Sequence, residues 1–218
     1  MQDATSKNRA RQARCRRMRP VVDAAMVLVY LLQMAPYQTG GWYHELAGIA
    51  FVVLLVVHHM LNARWLRAEL RRRDWLPVLL DAALLVCVIG VAVSGMLMAQ
   101  HVRLLQLKGA AHLVRPLHAC VTYAGLMLIS VHAGMHLPRR GFDRLAPVAR
   151  AVLAVAVVAL GYHAFASLNV LAKLTMGMSF PDGMTPLPML VAKHVLLAGP
   201  FVLLGMALTQ KGKGRERK

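Results

Sequence analysis

Acidic side chains are what this chain has least of: nine Asp and Glu stand against 26 Lys and Arg, a formal net charge of +17 over 218 residues. Aromatic residues make up only 6%, and the three cysteines, Cys15, Cys87 and Cys120, show no metal-type spacing. A disulfide framework and a zinc knuckle are thereby excluded as expectations. No segment alternates apolar and polar residues long enough to suggest a membrane barrel. The basic N-terminus runs into an apolar stretch without a small-residue cleavage pattern. That stretch is expected to stay as a first helix rather than be removed as a signal peptide.

What the chain has in abundance is apolar sequence, 58% of all residues, with a mean hydropathy of +0.52. Such a chain reads as several spans of roughly 20 apolar residues, not as a soluble domain. In a soluble protein the excess of bases would point to nucleic acid. Here the bases lie between apolar runs, so they are read as membrane topology and no nucleic-acid partner is expected.

Six apolar segments can be drawn: roughly 21–36, 44–63, 76–99, 117–137, 146–169 and 187–208. The first is the weakest, being short and carrying Asp23. Pro20 and Pro77 suit first-turn positions of helices, and Pro138 suits a stop just past one. The expected fold is an all-α membrane bundle of six transmembrane helices, spanning 20–209, between basic tails at 1–19 and 210–218.

Charge sets the orientation. Lys7, Arg9, Arg11, Arg14, Arg16, Arg17 and Arg19 fill the N-terminal tail. Arg64, Arg67, Arg71, Arg72 and Arg73 follow the second segment, and Arg139, Arg140, Arg144 and Arg150 follow the fourth. With Lys211, Lys213, Arg215, Arg217 and Lys218 these are 21 of the 26 bases. The opposite loops hold Arg103, Lys108, Arg115, Lys173 and Lys193. The positive-inside rule then puts both termini in the cytoplasm, which an even number of spans requires.

Four histidines repeat one spacing in these segments. His44 and His58 are fourteen residues apart, as are His118 and His132, and the second pair follows the first by seventy-four at both members. Imidazole in lipid is costly and marks function or a buried partner. Fourteen residues separate two side chains by about 21 Å and leave them within roughly 40° of one helix face. Segments two and four both run from outside to inside, so His44 partners His118 near the outer face and His58 partners His132 nearer the cytoplasm. Two bis-histidine haems b, one per level, fit this register, and such ligation favours outer-sphere electron transfer over oxygen binding.

Competing assignments lie close by. His59 is about 60° off the His44 direction, and His136 is well aligned with His118 but about 27 Å away along the axis. Both are alternates as ligands, or else neighbours of the haem and its ligands. Gly125, midway between His118 and His132, and Gly48, one turn after His44, would let a flat macrocycle approach; ordinary helix packing is the competing reading. Arg115, Arg103 and Lys108 are candidates for outer haem propionates, and Arg64, Arg139 and Arg140 for inner ones, where topology alone is the stronger reading. His101 and His112 fall in an outer loop and read as solvated. His163 and His194 lie toward outer span ends, where interhelical hydrogen bonding is favoured over quinone or metal binding. Residues 179–183 read as an outer turn.

The residues His44-Glu45-Leu46-Ala47-Gly48, His58-His59-Met60-Leu61-Asn62 and Trp65 resemble the start of the flavinylation-associated cytochromes, a family of bacterial membrane proteins. Ile89-Gly90, Ser94-Gly95-Met96, Arg115-Pro116-Leu117-His118 and Ser130-Val131-His132-Ala133-Gly134-Met135-His136 are similar to that family too. The likeness covers about 20–140 well and the rest loosely, through Tyr162, Phe165 and Phe180-Pro181-Asp182. It implies a b-type cytochrome of the bacterial inner membrane that passes electrons to an extracytoplasmic flavin-bearing partner. It also implies His44, His58, His118 and His132 as haem ligands. The chain has no flavin-attachment motif, so the flavin belongs to the partner, and quinol or another protein is the expected electron donor. Two further classes stand beside this one: a membrane reductase acting directly on ferric iron or quinone, and a histidine-lined metal transporter.

Overall fold

The computed structural model describes residues 2–71, 75–102, 111–177 and 183–215, with the backbone alone at 2–14, 69–70, 111 and 210–215. Arg72, Arg73, Arg103, Lys108, Arg217, Lys218 and most of the 179–183 turn lie outside the described residues. Among the described residues every regular element is a helix, with no strand. Five helices are long and apolar enough to cross a membrane: Gly41–Ala68, Trp75–Met98, His112–His136, Pro147–Ser167 and Leu187–Thr209. Val86 and Val155 on them are each 69% exposed in the isolated chain. Apolar exteriors of that extent are what a lipid-facing surface requires. The chain is thus built as an all-helical, multi-pass membrane protein.

The expected first span differs from those five. Residues 21–36 begin inside α1 (Gln2–Gln33), which runs unbroken from the basic tail to Gln33. Its apolar stretch is short and carries Asp23, so it falls below the roughly 18 apolar residues that mark a span by composition. Residues 2–19 of the tail belong to this helix, and Pro20 lies inside the helix, not in its first turn. A proline there removes one backbone hydrogen bond to the preceding turn without ending the helix.

The chain divides into two compact units, Met1–Val78 and Leu79–Lys218. In the first, α1 and α3 (Gly41–Arg71) form an antiparallel hairpin around the short α2 (Pro36–Thr39). Pro36 opens α2, where its missing N–H costs nothing. Gly40 closes it at φ +87°, a left-handed conformation that suits glycine, and its carbonyl accepts the His44 N–H that starts the next helix. One register holds the hairpin. The Arg19 guanidinium donates to the Leu61 carbonyl at 2.8 and 3.2 Å, and the Tyr30 and Phe51 rings lie 5.4 Å apart. The Gln33 side chain reaches Gly48. Val22, Tyr30, Met34, Ala35, Ala47 and Phe51 form the small buried core.

The second unit holds α4 from Leu79 (the helix is Trp75–Met98), α5 (Ala111–His136), α6 (Arg140–Asp143), α7 (Pro147–Ser167), α8 (Val170–Leu174) and α9 (Leu187–Arg215). Pro77 sits in the first turn of α4 and Pro138 just past α5, as the sequence pattern predicts. α5 and α9 run in the same direction and approach closely through small residues. A Cβ added at Gly134 would fall on the Val202 carbonyl, and one at Gly205 on the Val131 carbonyl, so only glycine fits at either crossing point. α7 covers another side of α9, with Gly161 lying over the Pro200 ring. Asn169, in the left-handed region at φ 53°, turns the chain from α7 into α8.

Candidate functional site

The first unit places His44 at the start of α3 and His58 near its middle, both half-buried. In the antiparallel register of α1 and α3, Asp23 falls opposite His58, and the ring Nδ1 lies 2.7 Å from Asp23 Oδ1. An ionised carboxylate only accepts, so Nδ1 donates in this bond and Nε2 is the ring nitrogen left for another partner. Asn62, one turn on, donates to the His58 carbonyl at 3.0 Å. His44 lies at the other end of the hairpin, where the Gln33 backbone interacts with its ring.

The second unit repeats the device with different residues. α4 and α5 are antiparallel, with Gly90 against Val121. Asp81 thereby meets His132, again with Nδ1 to Oδ1 at 2.7 Å. At the opposite end Ser94 meets His118, with Oγ 2.8 Å from Nδ1. Ser94 is buried, and its hydroxyl also reaches the Gly90 carbonyl within its own helix. A serine has one proton; given to Gly90, it leaves the oxygen as acceptor for His118 N–H. His118 then holds the same tautomer as His58 and His132, on a neutral partner instead of a charged one.

The alternates stand differently. His59 is exposed, and its Nδ1 bonds the Leu55 carbonyl of its own helix at 2.9 Å. Its ring meets His58 edge-on at 5.6 Å. His136 is exposed and lies 4.7 Å from the His132 ring. Both are neighbours of the anchored histidines. Gly48 faces the Gln33 side chain, 3.3 Å from where a Cβ would stand, which is helix packing. Gly125 is buried midway along α5, and Arg115 is exposed near the start of that helix. Arg64 and Arg140 are exposed and Arg139 half-buried. His101, His112 and His163 are exposed.

His194 makes the interhelical bond expected of it. It is 1% exposed, and its Nε2 accepts from Tyr123 Oη at 3.1 Å while Nδ1 donates to the Leu190 carbonyl at 2.8 Å. Lys173 Nζ donates to the same Tyr123 oxygen at 3.1 Å, tying α8 to α5 and α9. The phenol thus donates to one partner and accepts from another, which marks the network as a packing device. Replacing Tyr123 by Phe should lower stability by about 0.5–2 kcal/mol, the range for polar bonds between membrane helices. Thermal unfolding of the detergent-solubilised protein measures it, and an unchanged midpoint would contradict the assignment.

Asp23, Asp81 and Ser94 are the site residues that the histidine pattern by itself does not reveal. A signal for them exists. Each acid lies on the helix preceding a histidine helix, ahead of most of its apolar run, and in an antiparallel pair that position is level with the second histidine. Among the described residues no three His, Cys, Asp or Glu side chains group around a metal-sized point. Each anchored histidine is a single donor that needs a second from elsewhere. Comparison of the chain with protein-family models, curated proteins and solved structures found no match. The resemblance to flavinylation-associated cytochromes therefore rests on the quoted residues alone.

Proposed function

We propose that the chain is an electron carrier of the bacterial inner membrane, binding two b haems through His44, His58, His118 and His132. In this reading α1 supplies the sixth span and both termini face the cytoplasm. The electron donor is quinol or a protein, and the acceptor is an extracytoplasmic flavin-bearing protein. The pairing of His44 with His118 and of His58 with His132 follows from the sequence offsets and the charge asymmetry.

One observation carries the proposal: two histidines on different helices each have Nδ1 bound to a carboxylate of the preceding helix at 2.7 Å. Iron-ligating histidines usually donate their second N–H in this way, which orients the ring and raises the basicity of the ligating nitrogen. A carboxylate within a membrane span is costly unless partnered, and here the partner is the imidazole. The residues present suit haem: single imidazoles, three of them held through Nδ1, spaced along a helix face with small Gly125 between two of them. A bis-histidine haem would supply one-electron chemistry at a saturated iron, with no open position for oxygen. The protein's part is to hold the rings, keep water away and set the charge near each of them.

Purified protein should be red, with the sharp reduced-minus-oxidised bands of low-spin b haem and two haems per chain by pyridine haemochrome assay. A colourless preparation from haem-replete cells would end this reading. Zinc in place of haem would favour the transporter class. Rapid reduction of ferric chelates by the chain alone would favour the direct reductase.

A further inference from the structure

The four histidines divide by the charge of what holds them. His58 and His132 bind carboxylates, Asp23 and Asp81. His118 binds the neutral Ser94 hydroxyl, whereas the ring of His44 has both the Gln33 backbone and the charge of the adjacent Glu45 acting on it. In both hairpins an acid from the other helix binds the second histidine, and in the α4–α5 hairpin the first histidine is held instead by a neutral hydroxyl. Among the described residues the ion-pair partner of each acid is its histidine. Arg19, one turn before Asp23, spends its guanidinium on the Leu61 carbonyl.

We propose that Asp23 and Asp81 are positioning residues that make the iron served by His58 and His132 the harder of the two to reduce; this rests on the haem reading above. A carboxylate accepting the Nδ1 proton pushes electron density toward Nε2 and favours the oxidised iron. A hydroxyl or a peptide carbonyl does so much less. Low dielectric and the absence of mobile ions inside a membrane leave the acid's charge poorly screened. An iron served by His58 or His132 is therefore the weaker electron acceptor and the stronger donor. With haem bound, one-electron reduction there would be matched by oxidation of a protein donor, or of a quinol that gives up its protons to water. The electron would leave by way of the iron served by His44 or His118 to a flavin-class acceptor, which is reduced. The acids stand at the histidines nearer Arg19 and Arg64 in one helix pair and Arg139 and Arg140 in the other, the side that charge asymmetry assigns to the cytoplasm.

Redox potentiometry of the full-length protein in vesicles tests this with Asp81→Asn, Asp23→Asn and Ser94→Ala. Two unequal potentials are expected in the unmutated protein. Each Asn variant should keep both haems and make the lower-potential iron at least tenfold easier to reduce, about 59 mV for a one-electron couple. The higher potential should stay put, and only the low-spin EPR signal of the lower-potential iron should change. Ser94→Ala should move the higher potential alone. A lower potential that does not respond to either Asn variant, or that responds to Ser94→Ala, overturns the proposal. Where an Asn variant fails to hold haem, Ser94→Ala and the conservative Asp81→Glu decide: Asp81→Glu must restore binding and disturb only the lower potential, and any other pattern is a refutation. An unmutated chain without haem refutes the functional reading itself and is seen before any variant is titrated.

Discussion

Replacing His132 by alanine should take the haem content from two per chain to one, and replacing His58 should do the same. The double variant His58→Ala/His132→Ala should also retain one. That equality is the informative result, because it arises only if both side chains serve a single iron. If they served different irons, the double variant would lose everything. The magnitude is large because haem b has no covalent attachment, so a lost axial imidazole removes the strongest bond to that site. His59→Ala and His136→Ala should keep both haems. His59 already bonds the Leu55 carbonyl of its own helix, and both rings are exposed. Haem-to-protein ratios on purified variants decide the matter, and two haems in His132→Ala would sink the ligand assignment.

A comparable loss is expected from Gly134→Leu, for a different reason. Gly134 is buried where α5 crosses α9, and any Cβ there meets the Val202 backbone, which cannot rotate out of the way. Gly205 makes the reciprocal contact with the Val131 carbonyl. Small residues let membrane helices approach closely, and the dispersion attraction at that short distance is a main source of their association. Forcing a leucine between them should cost upward of about 3 kcal/mol, at the high end for overpacking. The readout is the fraction of monodisperse protein after extraction, with the thermal midpoint of what survives. Gly48→Ala is the control. Its neighbour is the end of a flexible glutamine side chain, so the change should stay within about 1 kcal/mol. A Gly134→Leu protein as stable as that control would contradict the packing described for α5 and α9.

Much of the scaffold was legible in the chain itself. Apolar runs placed five long helices to within a few residues, since a span's length is dictated by the membrane and not by its neighbours. Pro77 and Pro138 marked a start and a stop because their effect is local. At the N-terminus the charged tail and the weak apolar run form one helix, and Pro20 lies inside it rather than in its first turn. Helix propagation through Arg16, Arg17 and Arg19 is favourable, and the helix continues through Pro20 despite the backbone hydrogen bond lost there. Asp23 was legible only as a blemish in that weak span. Its meaning depended on an antiparallel partner thirty-five residues away, as the meaning of Asp81 depended on one fifty-one residues away.

The sequence by itself determined that this is a helical membrane protein, and that four histidines recur at one interval along two of its helices. Those are properties of composition and period, which a helix carries whatever it packs against. Tertiary structure alone decided which side chains from other helices meet the imidazoles: Asp23 at His58, Asp81 at His132 and Ser94 at His118. Hydrogen-bond partners across a hairpin are set by register, and register comes from packing along the whole pair of helices. It is that pairing that turns four equivalent-looking histidines into two kinds.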